Sequence, residues 1–315
     1  MDTPGSTLCS LFVHHQRRYY EMQPLLPLFG AQSRNVKPFK TQLLKWIGNK
    51  QRFAHEIVAH FPVTIGTYYE PFLGSGAVLA TLSPERAIAS DVFKPLTEIW
   101  QSLRENPNQL KRWYSERWER TQVRDRQEVY EEIKASYNAN PNGADLLYLC
   151  RSCYGGVVRF RKADGYMSTP CGVHEPISPA SFCQRADVWR WRCRGAEFLH
   201  SGFADVMERA EAGDLVYCDP PYVDTQAILY GAQAFSLQNL LTMIALCKAK
   251  GVNVALSIDG TKRSGDKICN VPIPDGLFEM EVLLNCGRSM LRRFQMAGQT
   301  LEREVVADRL LLTYS

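Results

Sequence analysis

Between residue 41 and about residue 103, short apolar runs alternate with stretches whose apolar positions recur every three or four residues. The short runs "TIGTYYE" and "RAIASD" predict strands, and the longer periodicity predicts helices in "SGAVLATL" and, after a loop, in "QLLKWIGNKQRFAHEIVAHF". The rhythm returns near residue 197 with "EFLHSGFADVME", the strand "DLVYCD", the helix "SLQNLLTMIALCKAKG" and the strand "NVALSID". Such alternation makes a parallel sheet with helices on its faces. Residues 104 to 199 break it with the helical stretch "RWYSERWERTQVRDRQEVYEEIK" and then turn-rich chain, which reads as an inserted, mainly helical lobe. The C-terminal "FEMEVLLNCGRSMLRRFQMAGQTLEREVVADRLLLTY" reads as a β-hairpin closing the sheet, its arms joined by a long basic loop. Residues 1 to 40, with four prolines and little periodicity, read as a flexible tail in which Met22 is an alternative start.

Composition narrows this picture. A chain of 315 residues that is 45% hydrophobic can bury one large core, alone or with a lobe, and 22% charged residues argue against disorder. The most apolar helix candidate, "LQNLLTMIALC", falls short of the roughly 20 residues of a membrane span. The N-terminus lacks the pattern of a signal peptide, so a cytoplasmic, monomeric protein with its ten cysteines reduced is expected. Residues 150 to 200 carry eight basic against four acidic side chains, and residues 1 to 60 carry eight against three. Interleaved with the first group, Tyr154, Phe160, Tyr166, Trp189 and Trp191 suit a lobe that contacts phosphates and stacks on bases.

Ligands of a parallel α/β sheet bind beyond the carboxyl ends of its strands. "YYEPFLGSGA" places Gly74 and Gly76 at the first such end, where glycine permits a tight turn and close approach. Asp91 ends the second, 17 residues after Gly74, a spacing suited to gripping ribose hydroxyls. A dinucleotide site would want a third glycine where Leu79 stands, so a nucleotide without a pyrophosphate, such as S-adenosylmethionine, fits better. The third end, "DLVYCDPPY", delivers Asp219 on a stiff turn.

"KWIGNK" (45 to 50), "EPFLGSG" (70 to 76), "SD" (90 to 91) and "DPPY" (219 to 222), in that order, resemble the Dam-type, D12 class DNA adenine N6-methyltransferases over nearly everything but the tail. The resemblance implies a Rossmann-like S-adenosylmethionine-dependent methyltransferase sheet formed by residues 41 to 103 and 200 to 315, with a DNA target-recognition lobe between them. It implies that Trp46, Lys50, Phe72, Gly74, Gly76 and Asp91 surround the cofactor with Asp219, and that Phe203 and Asp205 of "GFAD" approach its adenine. Asp219, the Pro220 carbonyl and Tyr222 would serve catalysis on a base flipped out of double-stranded DNA. Lys45, Tyr154, Arg159 and Arg161 would contact DNA, Tyr154 by intercalation and Arg159 by reading a guanine. Gly155 stands where many members have Asn, and "YMSTPCG" replaces the commoner "FNVPFG", so the usual GATC target is not carried over. A cognate restriction endonuclease acting separately would be the other partner.

Competing readings remain. Cytosine N4 methylation uses the same geometry, usually with Ser in place of Asp219, and a silent DNA-binding protein could keep the fold. "TPCG" resembles the nucleophilic Pro-Cys of cytosine C5-methyltransferases, a chemistry that would make "DPPY" redundant. Cys150, Cys153, Cys171 and His174 have zinc-like spacing, although Cys153 belongs to the family's own segment and no metal is expected.

Overall fold

The computed structural model describes residues 34–161, 163–221, 235–262, 273–287 and 306–315. Its seven strands are β1 (Tyr68–Glu70), β2 (Ala87–Asp91), β3 (Ala196–His200), β4 (Leu215–Cys218), β5 (Asn253–Lys262), β6 (Met280–Gly287) and β7 (Val306–Leu312). They form one sheet in the order β3-β2-β1-β4-β5-β7-β6, parallel through β5, with β7 antiparallel to both β5 and β6. The expected closing hairpin is therefore present, while its connecting loop lies outside the described residues, as does most of the expected tail.

Both faces of the sheet are covered, which is why its central strands read as unbroken apolar runs. On β4, Leu215 and Tyr217 join one core with Tyr68, Trp100 and Leu310, while Val216 and Cys218 join another with Leu256 and Ile244. The chain runs from β1 outward to β2 and β3, then returns to place β4 on the other side of β1. At this reversal the connections leave in opposite directions and open a crevice above the carboxyl ends of β1 and β4.

The helices follow from local signals. α1 (Ala54–Ala59), α2 (Ala77–Leu82) and α3 (Lys94–Glu105) flank the first two strands. α4 (Pro107–Val123) starts where the Asn106 side chain accepts the Gln109 N–H and proline takes the first turn. The helical stretch anticipated around residues 112 to 134 is two helices, because Asp125 caps α5 (Arg126–Ala139) through the N–H groups of Gln127 and Glu128.

α6 (Gly143–Ser152) and α7 (Pro179–Arg192) occupy chain that reads as turn-rich. All ten residues of α6 are buried, so it has no polar stripe from which a period could be read. Its buried Asp145 is satisfied by Arg117, with Nε and Nη2 at 2.8 and 2.6 Å, and by Ser136 at 2.8 Å. α7 corrects one expectation: Trp189 and Trp191, two positions apart on a helix, point to nearly opposite sides. Trp191 is exposed, but Trp189 is buried against Trp100 and Phe39 and donates its indole N–H to the Thr41 carbonyl at 2.9 Å. It is core rather than a base-stacking ring. α8 (Phe203–Met207) and α9 (Leu237–Ala249) complete the helices named here.

Candidate active site

The three strand ends converge on a cavity of about 330 Å³. At the first, Gly74 and Gly76 have φ of 48° and 63°, in the left-handed region that suits glycine. A side chain at Gly76 would also press on the Trp100 ring at 3.1 Å, and Trp100 donates its N–H to the Gly74 carbonyl at 3.1 Å. At the second, Asp91 accepts the Gly74 N–H at 3.1 Å and the Phe93 N–H at 2.9 Å, tying the first strand's loop to its own. Burial pushes the Asp91 carboxyl up, and these N–H bonds pull it back.

At the third, Asp219 faces the Lys50 ammonium at 2.8 Å, and a second carboxylate, Asp308 of β7, stands 3.8 Å from the same nitrogen. Lys50 also donates to the Gly48 carbonyl at 3.3 Å. Burial alone would discharge Lys50, but the carboxylates outweigh it and hold the ammonium above its ordinary pKa. Glu70, at the end of β1, is buried and accepts the Tyr68 hydroxyl at 2.7 Å. Burial pushes its carboxyl up to about 8.

Trp46, Lys50, Phe72, Gly74, Asp91, Phe203 and Asp219 all line the cavity. Gly76, Pro220 and Asp205 are not among its lining residues: Gly76 shapes the loop beneath it, Pro220 is buried between two lining residues, and Asp205 is exposed and accepts the Ser201 hydroxyl at 3.2 Å. Tyr222 lies outside the described residues. Sequence reasoning missed Glu70, Tyr217, Phe93 and Phe235, all of which line the cavity. Glu70 could have been found, since it immediately precedes "PFLGSG" at a strand end. Phe235 could not, because its place is set by the ring cluster it forms with Phe72 and Phe203, with centroids 5.3 to 6.0 Å apart.

The residues assigned to DNA adjoin this wall. Phe160 and Met167 pair across a short hairpin whose backbone bonds run from Arg161 N–H to Tyr166 and from Ser168 N–H to Arg159, each 2.9 Å. Phe160 packs edge-on against Phe93 at 5.4 Å, and Phe93 lies beside Trp46 at 6.1 Å. Three rings thus connect cavity and hairpin. Arg161 is held by Asp164 at 2.8 Å and lies over the Tyr166 ring, whereas the neighbouring Arg159 side chain is exposed. Tyr154, 45% exposed, begins a single tight turn, and the Lys45 side chain crosses Gly156 so closely that a Cβ there would lie 2.6 Å from it. Among the described residues no group of three His, Cys, Asp or Glu could hold a metal ion, the Cys150, Cys153, Cys171 and His174 set included. Also among them, no helix is long and apolar enough to cross a membrane.

This strand order, with an acidic, ring-lined cavity at the switch point, defines a Rossmann-like methyltransferase fold. Residues 46–265 match the family model of the D12 class N6 adenine-specific DNA methyltransferases, and the chain belongs to that family. It is 25% identical over 231 residues to a DNA adenine methylase of Vibrio cholerae serotype O1, covering 68% of this chain and 79% of the relative. It is likewise 25% identical over 239 residues to the type II methyltransferase M1.LlaDCHI of Lactococcus lactis subsp. cremoris, covering 71% and 81%. A DNA adenine methylase of Serratia marcescens is 27% identical over 213 residues, covering 62% and 73%. The reaction is thus methylation of DNA at adenine N6.

Proposed function

We propose that the cavity binds S-adenosylmethionine and that Asp219, Pro220 and Tyr222 present to it an adenine flipped out of double-stranded DNA. The observation that carries this reading is the convergence of Asp219, anchored by Lys50, with Asp91 and the Phe72–Phe203–Phe235 rings on one cavity. The lining fits the cofactor: Asp91 and Asp219 suit a ligand with a cationic centre and a ribose diol, and the rings suit its base. When bound, S-adenosylmethionine supplies a methyl group on a sulfonium that leaves readily, so direct in-line transfer needs no covalent protein intermediate.

The protein's task is orientation. Adenine N6 is a poor nucleophile because its lone pair is delocalised into the ring. Asp219 and the Pro220 carbonyl accept its two N–H bonds and hold the lone pair toward the methyl group. Beside the Lys50 ammonium, Asp219 is kept ionised, an acceptor rather than a donor. Tyr222 provides a stacking face for the extruded base. Residues 41 to 103 and 200 to 315 carry this chemistry, and 104 to 199 serve target recognition: Tyr154 enters the stack, Arg159 reads a base, and Lys45 and Arg161 support the DNA backbone. The enzyme works as a cytoplasmic monomer, with a separately acting endonuclease where it forms half of a restriction–modification pair; likeness to a type II methyltransferase supports that role.

The test is Asp219→Ala. It should lower turnover by at least about 100-fold, the usual worth of one positioned polar group, while DNA binding survives. Near-normal turnover would sink the mechanism.

A further inference from the structure

β7 belongs to the hairpin that closes the sheet, and its third residue, Asp308, is a buried acid. Asp308 pairs in register with Asp259 of β5 and Leu284 of β6 and points to the same face as Leu310 and Leu312, inside the core that holds Tyr217 and Tyr68. An acid in that row has no packing purpose, and its carboxylate reaches Lys50. We propose that Asp308 is a positioning residue of the methyl-transfer site: it holds the Lys50 ammonium from the interior, so that Lys50 fixes Asp219 as an ionised acceptor facing the cavity. The inference rests on the role of Asp219 proposed above.

Exposure supports this division of labour. The Asp219 side chain is 18% exposed, toward the cavity, while those of Lys50 and Asp308 are 6% and 9% exposed. A buried ammonium with a single carboxylate partner tends to neutralise by proton transfer, which would turn Asp219 into a donor unable to accept an N6–H bond. A second carboxylate opposes that transfer. It also lets Lys50 be satisfied without drawing Asp219 out of the cavity. The other titratable groups facing this cluster are Glu70, Tyr68, Tyr217 and Cys218. Burial pushes Tyr68, Tyr217 and Cys218 far up and Glu70 up to about 8 in the wild-type protein, so each variant is compared with the wild-type profile.

The experiment measures kcat and the KM for DNA of wild type, Asp308→Asn and Asp308→Glu between about pH 6.5 and pH 10, beside Asp219→Ala. Asp308→Asn should lose about tenfold in kcat near neutrality with KM within about twofold, and should fall further with rising pH than wild type as Lys50 gives up its proton. Asp308→Glu restores the charge and should recover kcat to within about threefold with a wild-type profile. Wild-type behaviour of Asp308→Asn, or an equal loss at every pH that glutamate does not repair, overturns the proposal. Should the asparagine variant fail to fold, the glutamate variant decides alone, since an altered pH profile there contradicts a role based on charge. Turnover persisting in Asp219→Ala overturns the underlying mechanism instead, so the two failures are distinguishable.

Discussion

Replacing Glu70 by glutamine should make the unliganded protein more stable at alkaline pH and change it little in acid. Glu70 is 2% exposed, and its carboxyl is pushed up from 4.5 to about 8, first by burial and then by the Asp219 charge, against the Tyr68 hydroxyl and the Leu79 backbone N–H. The folded state therefore keeps a proton that the unfolded chain releases. Stability from that proton is complete below about pH 4.5 and is lost as pH rises through about 8. At about 1.4 kcal/mol per pH unit the loss approaches a ceiling of about 5 kcal/mol. Glutamine does not titrate, and its carbonyl can still accept the Tyr68 hydroxyl. Urea unfolding of both proteins from about pH 5 to pH 9 should show a stability difference in favour of the variant that grows by several kcal/mol toward high pH. Parallel curves would refute the claim that Glu70 is buried and protonated.

Asp91→Ala should weaken S-adenosylmethionine binding by roughly 1.5 to 3 kcal/mol, the worth of a hydrogen bond to a charged group, and unchanged calorimetric affinity would leave Asp91 as a tie between two loops. Arg159→Ala should relax one position of the target site, costing roughly 1 to 3 kcal/mol on the preferred sequence and much less where that base pair is altered. If methylation of oligonucleotides varied one base pair at a time falls equally on all of them, and its salt dependence flattens, Arg159 touches phosphate rather than a base.

Much of this architecture is legible in the chain because several signals agree locally. In "DLVYCDPPY" an apolar run is stopped by prolines, and Leu215–Cys218 form a fully buried central strand ending at the site. "EPFLGSG" announces a turn, and its glycines adopt the positive φ that the turn requires. α6 was hidden because total burial erases amphipathic periodicity, although Asn142, which accepts the Asp145 N–H at 2.9 Å, marked its start. Trp189 looked like its exposed neighbour Trp191 because composition does not tell the two sides of a helix apart. The pairing of Lys50 with Asp219 and Asp308 depends on strand order, which brings distant segments together and which no local pattern encodes. The stack from Trp46 through Phe93 to Phe160 is of the same kind: each ring has an ordinary local context, and only packing joins them.

If Asp219 and its neighbours act as described, this cavity methylates the amino group of adenine. DNA from a methylation-free host, incubated with the purified protein and S-adenosylmethionine and then digested to nucleosides, tests this most directly. The wild-type protein should yield N6-methyladenine, and Asp219→Ala none above background. N4-methylcytosine, or no modified base from a folded protein that binds DNA, would contradict this expectation.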